Sequence, residues 1–180
     1  MRLVQRIAAA LAGLAAFLAS AATVLCLALV CWGVAARYLA GTPQPWVDKV
    51  AGWLVVALVL LAAPEAQRRF EHIGVDVAVG RLGPRLARLV HLLGVVAVAV
   101  VAFILLQAGI ETVEFSRMIG VQTDIEGVPQ WWVQLALPVG AALLLLVALA
   151  QGLTLLLGGR PEHLPTGEEE LPRDTLARGE

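Results

Sequence analysis

Histidine, cysteine and carboxylate side chains are the residues of this chain that could carry chemistry, and their spacing decides what that chemistry is. Cys26 and Cys31 are five positions apart in one apolar run, so on a helix they point in different directions and cannot form a disulfide with each other. His72, His91 and His163 are not placed as a pair on facing helices, which haem ligation requires. We therefore predict no cofactor and no metal site in this chain.

The sequence also lacks the pattern of a catalytic site. No nucleophile has a base nearby, no pair of carboxylates falls within one apolar run, and the glycines do not form a phosphate-binding fingerprint. The formal net charge is −1 and the charges fall in short clusters, which leaves no basic surface for nucleic acid. The chain is therefore predicted to be neither an enzyme nor a nucleic-acid-binding protein.

The elements that must position these residues are long apolar helices. Hydrophobic residues make up 59% of the 180 positions and charged residues 15%, whereas a soluble domain has about 25% charged residues. Roughly 20 apolar residues suffice for one crossing. The sequence predicts an all-α integral membrane protein with four transmembrane helices, at about residues 7–36, 45–69, 89–110 and 130–157.

Two of these spans require further argument. The run from Ile7 to Ala36 has no charged residue and is longer than the apolar core of a signal peptide, about 7 to 15 residues. The second apolar run is short, but Pro45 and Trp46 can start its helix at the interface, and Asp48 suits the first turn. Both segments are therefore predicted to span.

The loops predict one orientation, since short cytoplasmic loops collect arginine and lysine. The loop between the second and third spans is basic, and its arginines are predicted to face lipid headgroups: Arg68, Arg69, Arg81, Arg85 and Arg88. The following loop is mainly acidic. We therefore predict an inner-membrane protein with both termini in the cytoplasm.

Two further segments are interpreted separately. From Val75 to Leu89 aliphatic residues alternate with arginines, which predicts an interfacial amphipathic helix between the second and third spans. Residues 160–180 carry proline, glycine and an acidic run, and are predicted to be a disordered cytoplasmic tail.

No ionisable residue falls near the centre of a predicted span. Glu65, His91 and Glu111 lie near the ends, where side chains can reach water or headgroups. A charge at the bilayer centre costs at least about 2.5–3.5 kcal/mol, so charged residues there usually serve a function. Their absence argues against a transporter that couples protons to substrate on its own.

A family resemblance is carried by three short motifs. Arg37 and Tyr38 end the first span, Pro45, Trp46 and Asp48 begin the second, and a His72-Ile-Gly-Val-Asp76 segment follows in the basic loop. Their order and spacing resemble the small membrane subunit of TRAP (tripartite ATP-independent periplasmic) transporters, the DctQ type. Lys49 departs from this pattern, since an acidic residue is frequent there, as does the Ala63-Pro64-Glu65 segment.

The resemblance implies a scaffold subunit that braces a large permease subunit during sodium-coupled uptake of an organic acid delivered by a periplasmic solute-binding protein. It implies that sodium binds the permease and that Arg37, Pro45, Trp46, Asp48, His72 and Asp76 serve a subunit interface or anchoring. The acidic residues of the third loop are expected to contact the periplasmic partner: Glu111, Glu114, Asp124 and Glu126. Two alternatives stay open at this point, namely a membrane anchor of a redox complex and a self-sufficient small transporter.

Overall fold

A computed structural model describes residues 2–69 and 84–157 of the chain. In chain order they form α1 (Arg2–Tyr38), α2 (Pro45–Arg68), α3 (Pro84–Ile119), the short α4 (Gln130–Gln134) and α5 (Ala136–Leu156). Four helical segments are long and apolar enough to cross a membrane, and α4 and α5 together supply the fourth. The all-α membrane fold with four spans is confirmed.

α1 packs on its neighbours through a row of residues that are all small except one leucine. The members follow one another at alternating spacings of four and three, so they share one face, and each is buried or half-buried: Ala8, Ala12, Ala15, Ala19, Ala22, Cys26, Leu29, Gly33 and Ala36. Small side chains allow close backbone approach in a membrane, where lipid provides no hydrophobic force between helices. A Cβ added at Gly33 would lie 3.1 Å from Val47 Cγ1 on α2.

α2 begins as the sequence suggests and continues past an internal proline. Pro45 is its first residue and Asp48 lies in its first turn. Pro64 lies inside the helix and is buried, and the helix continues to Arg68. Pro64 therefore lies within the last turns of α2 and does not end it.

α2 and α5 approach closely where a glycine faces a leucine. A Cβ added at Gly140 would lie 2.7 Å from Leu60 Cβ and 2.8 Å from the Leu60 carbonyl oxygen, closer than real Cβ atoms come to such neighbours. Hence only glycine fits at position 140 with this spacing of the two helices.

The contacts between the helices show which of them are neighbours. α1 packs chiefly on α2, α2 packs on α5, and α5 packs on α3, with a smaller contact between α1 and α5. The α2–α5 contact therefore joins one pair of helices, α1 with α2, to the other pair, α3 with α5.

α3 is longer than the predicted third span. It begins at Pro84 and continues past Ile110 to Ile119, so Glu111 and Glu114 lie on the helix and not in a loop. Most of the predicted interfacial helix, and the predicted tail at 160–180, fall outside the described residues. Pro84 to Leu89, the end of the interfacial segment, form the first turns of α3.

Candidate functional site

Polar side chains gather at the two ends of α2, and these are the places where the described residues could do more than pack. The Gln151 cluster, at the C-terminal end of α2, consists of Glu65, Gln67, Arg68, Arg69 and Gln151. The rim pairs, at its N-terminal end, are Arg37 with Asp48 and Lys49 with Asp124. The Gln151 cluster joins α5 to the last turn of α2, and the rim pairs join α2 to α1 and to the segment after α3.

Gln151 of α5 binds the last turn of α2 with both ends of its amide. Its Nε2 donates to the carbonyl oxygens of Gln67 (3.0 Å) and Arg68 (3.1 Å), and its Oε1 accepts from Gln67 Nε2 at 2.8 Å. Gln67 is 2% exposed and Gln151 is 7% exposed. The last carbonyls of a helix have no partner within the helix, so Gln151 serves as a C-terminal cap supplied by another helix.

Glu65 is buried one turn earlier on α2, where two arginines neutralise it. Arg68 donates from Nε and Nη2 to the two carboxylate oxygens at 2.7 Å each, and Arg69 donates from Nε at 2.8 Å. A bidentate arginine–carboxylate pair is among the stronger hydrogen-bonded contacts of proteins. The expectation that Glu65 reaches water is therefore wrong, because its own helix places both guanidinium groups beside it.

The rim pairs connect three parts of the chain at the opposite end of α2. Arg37 Nη2 of α1 donates to Asp48 Oδ2 of α2 at 3.1 Å. Lys49 Nζ of α2 forms an ion pair with Asp124 Oδ2 in the segment that follows α3. These side chains are largely exposed, so each pair contributes about 0.2–1 kcal/mol at most, and its main effect is to fix geometry.

The loop between α3 and α4 is an ordered hairpin-like turn. Gln122 and Pro129 form an antiparallel bridge, and Thr123 Oγ1 donates to the carbonyl of Val128 at 2.9 Å. Gly120 and Gly127 have φ angles of 70° and 80°, a region that favours glycine. The turn presents Asp124 to Lys49.

Aromatic residues surround this same end of the molecule. The Arg117 guanidinium lies 5.1 Å from the centre of the Trp131 ring, and Trp131 and Trp132 meet edge to face at 5.8 Å. Trp46 is partly exposed and donates from Nε1 to Gln44 Oε1 at 3.1 Å. Tryptophan is enriched at membrane–water interfaces, so these rings mark the height of one interface.

The structure brings some of the predicted site residues together and separates others. Arg37 and Asp48 are in contact, while Pro45 and Trp46 start α2 beside them. His72, Asp76 and Arg81 lie outside the described residues, as do the side chains of Arg85 and Arg88. Arg68 and Arg69, predicted to face headgroups, both turn towards Glu65, and 52% of the Arg69 side chain stays exposed.

The four predicted acidic contacts divide into two pairs. Asp124 and Glu126 belong to the turn after α3, and Glu111 and Glu114 to exposed positions of α3 itself. Among the described residues only Asp124 of these four forms an ion pair, with Lys49. Lys49, which departs from the family pattern, thus has an acidic partner on a different segment.

The sequence matches a known protein family over most of its length. Residues 26–158 match the family described as tripartite ATP-independent periplasmic transporters, DctQ component. The chain belongs to the DctQ family. It is thus a multi-pass membrane protein and the small permease component of a TRAP transporter, a class of transporter that in general also has a large permease and a periplasmic binding protein. A search of the curated proteins gives no match.

Two features of this DctQ protein were missed by sequence reasoning. The bond between Gln67 and Gln151 joins residues that are 84 positions apart. Its only signal was Gln151 itself, one of three glutamines in the apolar run from Val128 to Leu157. The Lys49–Asp124 pair had no signal beyond opposite charges in two loops on the same side.

We predict that Gln151→Leu destabilises the bundle. The substitution removes three hydrogen bonds, two of them buried and one partly buried, which should lower the free energy of unfolding by about 1–3 kcal/mol and lower the thermal unfolding midpoint in detergent. Gln134→Leu is the matched control, because the buried Gln134 Oε1 accepts no hydrogen bond from the described residues. Equal midpoints for the Gln151→Leu variant and the native chain would contradict this role of Gln151.

Proposed function

We propose that this chain is the brace of its transporter, holding the large permease subunit in the membrane while that subunit imports an organic acid together with sodium. In this proposal the substrate reaches the permease from a periplasmic solute-binding protein, and sodium binds the permease. Family membership supports the assembly. The bracing role is supported by the α2–α5 contact, with its glycine fit and its buried glutamine cap.

Three carboxylates of the described bundle are held in place by basic side chains. Glu65 is fixed by Arg68 and Arg69, and Asp48 and Asp124 each have a basic partner. A carboxylate that couples ion movement to transport must change its protonation or its partner during the cycle. A carboxylate with two arginines from its own helix is poorly suited to such a change, which favours a structural role.

We propose that the chain lies in the bacterial inner membrane with both termini cytoplasmic and the rim pairs on the periplasmic side. The arginines near the end of α2 support this orientation, since short basic loops stay in the cytoplasm. In intact cells with a permeable outer membrane, a membrane-impermeant thiol reagent should label a cysteine at Glu126, in a chain whose Cys26 and Cys31 are alanine. Labelling only after the inner membrane is broken would overturn the orientation.

The two acidic positions of the turn after α3, Asp124 and Glu126, are the proposed contacts with the periplasmic solute-binding protein. Asp124 and Glu126 are both exposed on this ordered turn, so a soluble protein can reach them. We propose that membrane lipids cover the apolar surface of the bundle that no other subunit covers. Glu111 and Glu114 lie lower, on α3.

The decisive experiment is purification of the tagged chain from its native membranes in mild detergent, followed by mass spectrometry. We expect a large polytopic permease at a fixed ratio to this chain, and we expect deletion of this chain to abolish uptake of the substrate of that permease. Recovery of a redox enzyme, or transport by the purified chain alone in liposomes, would contradict the proposal.

A further inference from the structure

One face of α3 combines apolar and acidic residues and points away from the rest of the bundle. We call it the α3 outer face and define it by Leu93, Val100, Ile104, Gln107, Glu111, Glu114 and Met118, all of them exposed. Their spacing of three, four or seven residues places them on one side of the helix. The residues packed inside the bundle, such as Val95, Ala102 and Val113, lie on the opposite side.

The contacts of α3 give the height of its two glutamates. Gly109 is level with Pro138, since an added Cβ would lie 3.0 Å from Pro138 Cδ, and Gly140 is level with Leu60 of α2. With a rise of about 1.5 Å per residue, Glu111 lies about 6 Å and Glu114 about 10 Å above Leu60. Lys49 of the rim pairs lies about 16 Å above Leu60 by the same measure. Both glutamates therefore lie below the rim pairs, level with the apolar part of α2.

Neither glutamate is neutralised within the described chain. Asp48, Glu65 and Asp124 each form an ion pair, whereas Glu111 and Glu114 form none with the described residues. The nearest cation along the helix, Arg117, lies over the Trp131 ring.

Lipid is an unfavourable neighbour for this part of α3. Carboxylates within membrane spans face protein or water and pair with one another or with a cation, because hydrocarbon does not solvate them. α1 provides the contrast, since its exposed residues at comparable depth, such as Val24 and Leu25, are apolar and suit lipid.

We propose that the α3 outer face is the docking surface for the large permease subunit, which presents a lysine or arginine to Glu111 and Glu114 within the membrane. Because the two glutamates are negatively charged, the side chain that pairs with them must be basic. Because they lie below the rim pairs, at the depth of the apolar part of α2, the partner must be a membrane protein. In this proposal the permease also covers Ile104 and Met118, which are exposed on the same face of α3. This inference rests on the proposed function, because that function supplies the permease.

Site-specific photo-cross-linking in native membranes tests the surface directly. A photoreactive phenylalanine analogue is placed at Ile104 or Met118 in the otherwise native chain, and at Leu25 of α1 as the control, with the permease co-expressed. We expect an adduct with the permease from both α3 positions and none from Leu25. Adducts from α3 only to the binding protein, to a second copy of this chain or to lipid would overturn the proposal.

Charge removal tests the acidic pair. Glu111→Gln combined with Glu114→Gln should lower recovery of the permease at moderate salt at least several-fold, and Glu126→Gln should leave it unchanged. The thermal unfolding midpoint of the double variant in detergent reports whether its fold is intact. Full recovery with an intact fold would overturn the role of the glutamates.

Different results would contradict the proposed function and the proposed docking surface. If the native chain recovers no permease, the proposed function is wrong. If it recovers the permease but cross-links through α1, only the assignment of the α3 outer face is wrong.

Discussion

The contact between α2 and α5 is the interaction on which the rest of this structure depends. α1 packs mainly on α2 and α3 packs mainly on α5, so this contact joins the two helix pairs. Two local features hold it. Gly140 lets the helices approach at Leu60, and Gln151 caps the end of α2 two to three turns further along. Because hydrocarbon gives apolar surfaces little reason to associate, fit and hydrogen bonding must hold the pairs together.

This arrangement explains why polar residues occur where they do. The buried amides of Gln67 and Gln151 satisfy each other and also backbone carbonyls, so their burial is compensated. Glu65 is compensated by its own helix, and the rim pairs by neighbouring segments. Glu111 and Glu114 are the exposed carboxylates of α3 without such a partner among the described residues, and a second subunit would supply it.

Much of the architecture could be predicted from the sequence, because hydrophobic length is a strong local signal. The four spans followed from apolar runs, and the start of α2 followed from Pro45, Trp46 and Asp48. The sequence predicts a packing face on α1 from Ala12, Ala16, Ala19 and Ala22, which recur at three- and four-residue spacing. The structure shows the row that packs to be longer and shifted at one position, with Ala15 in place of Ala16. The C-terminal end of α3 was missed, since Glu111 and Glu114 suggested a loop although the helix continues to Ile119.

The sites could be predicted less well, because they join distant residues. Nothing in the local sequence shows that Gln151 meets Gln67 or that Lys49 meets Asp124, since both contacts depend on how the helices are arranged. The burial of Glu65 was hidden for another reason. A carboxylate beside two arginines at the end of a span also fits a side chain that reaches water, and only the packing of Pro64 and Gln67 against the bundle distinguishes the two.

The most direct test of a rigid brace is the distance between its two helix pairs. Spin labels at Leu25 of α1 and Leu149 of α5, both exposed and outside the α3 outer face, would report this distance in the assembled transporter, with Cys26 and Cys31 replaced by alanine. The account predicts one narrow distance distribution that is unchanged when sodium, binding protein and substrate are added. A second distance, or a shift on adding substrate, would show that the helix pairs move and would contradict the account.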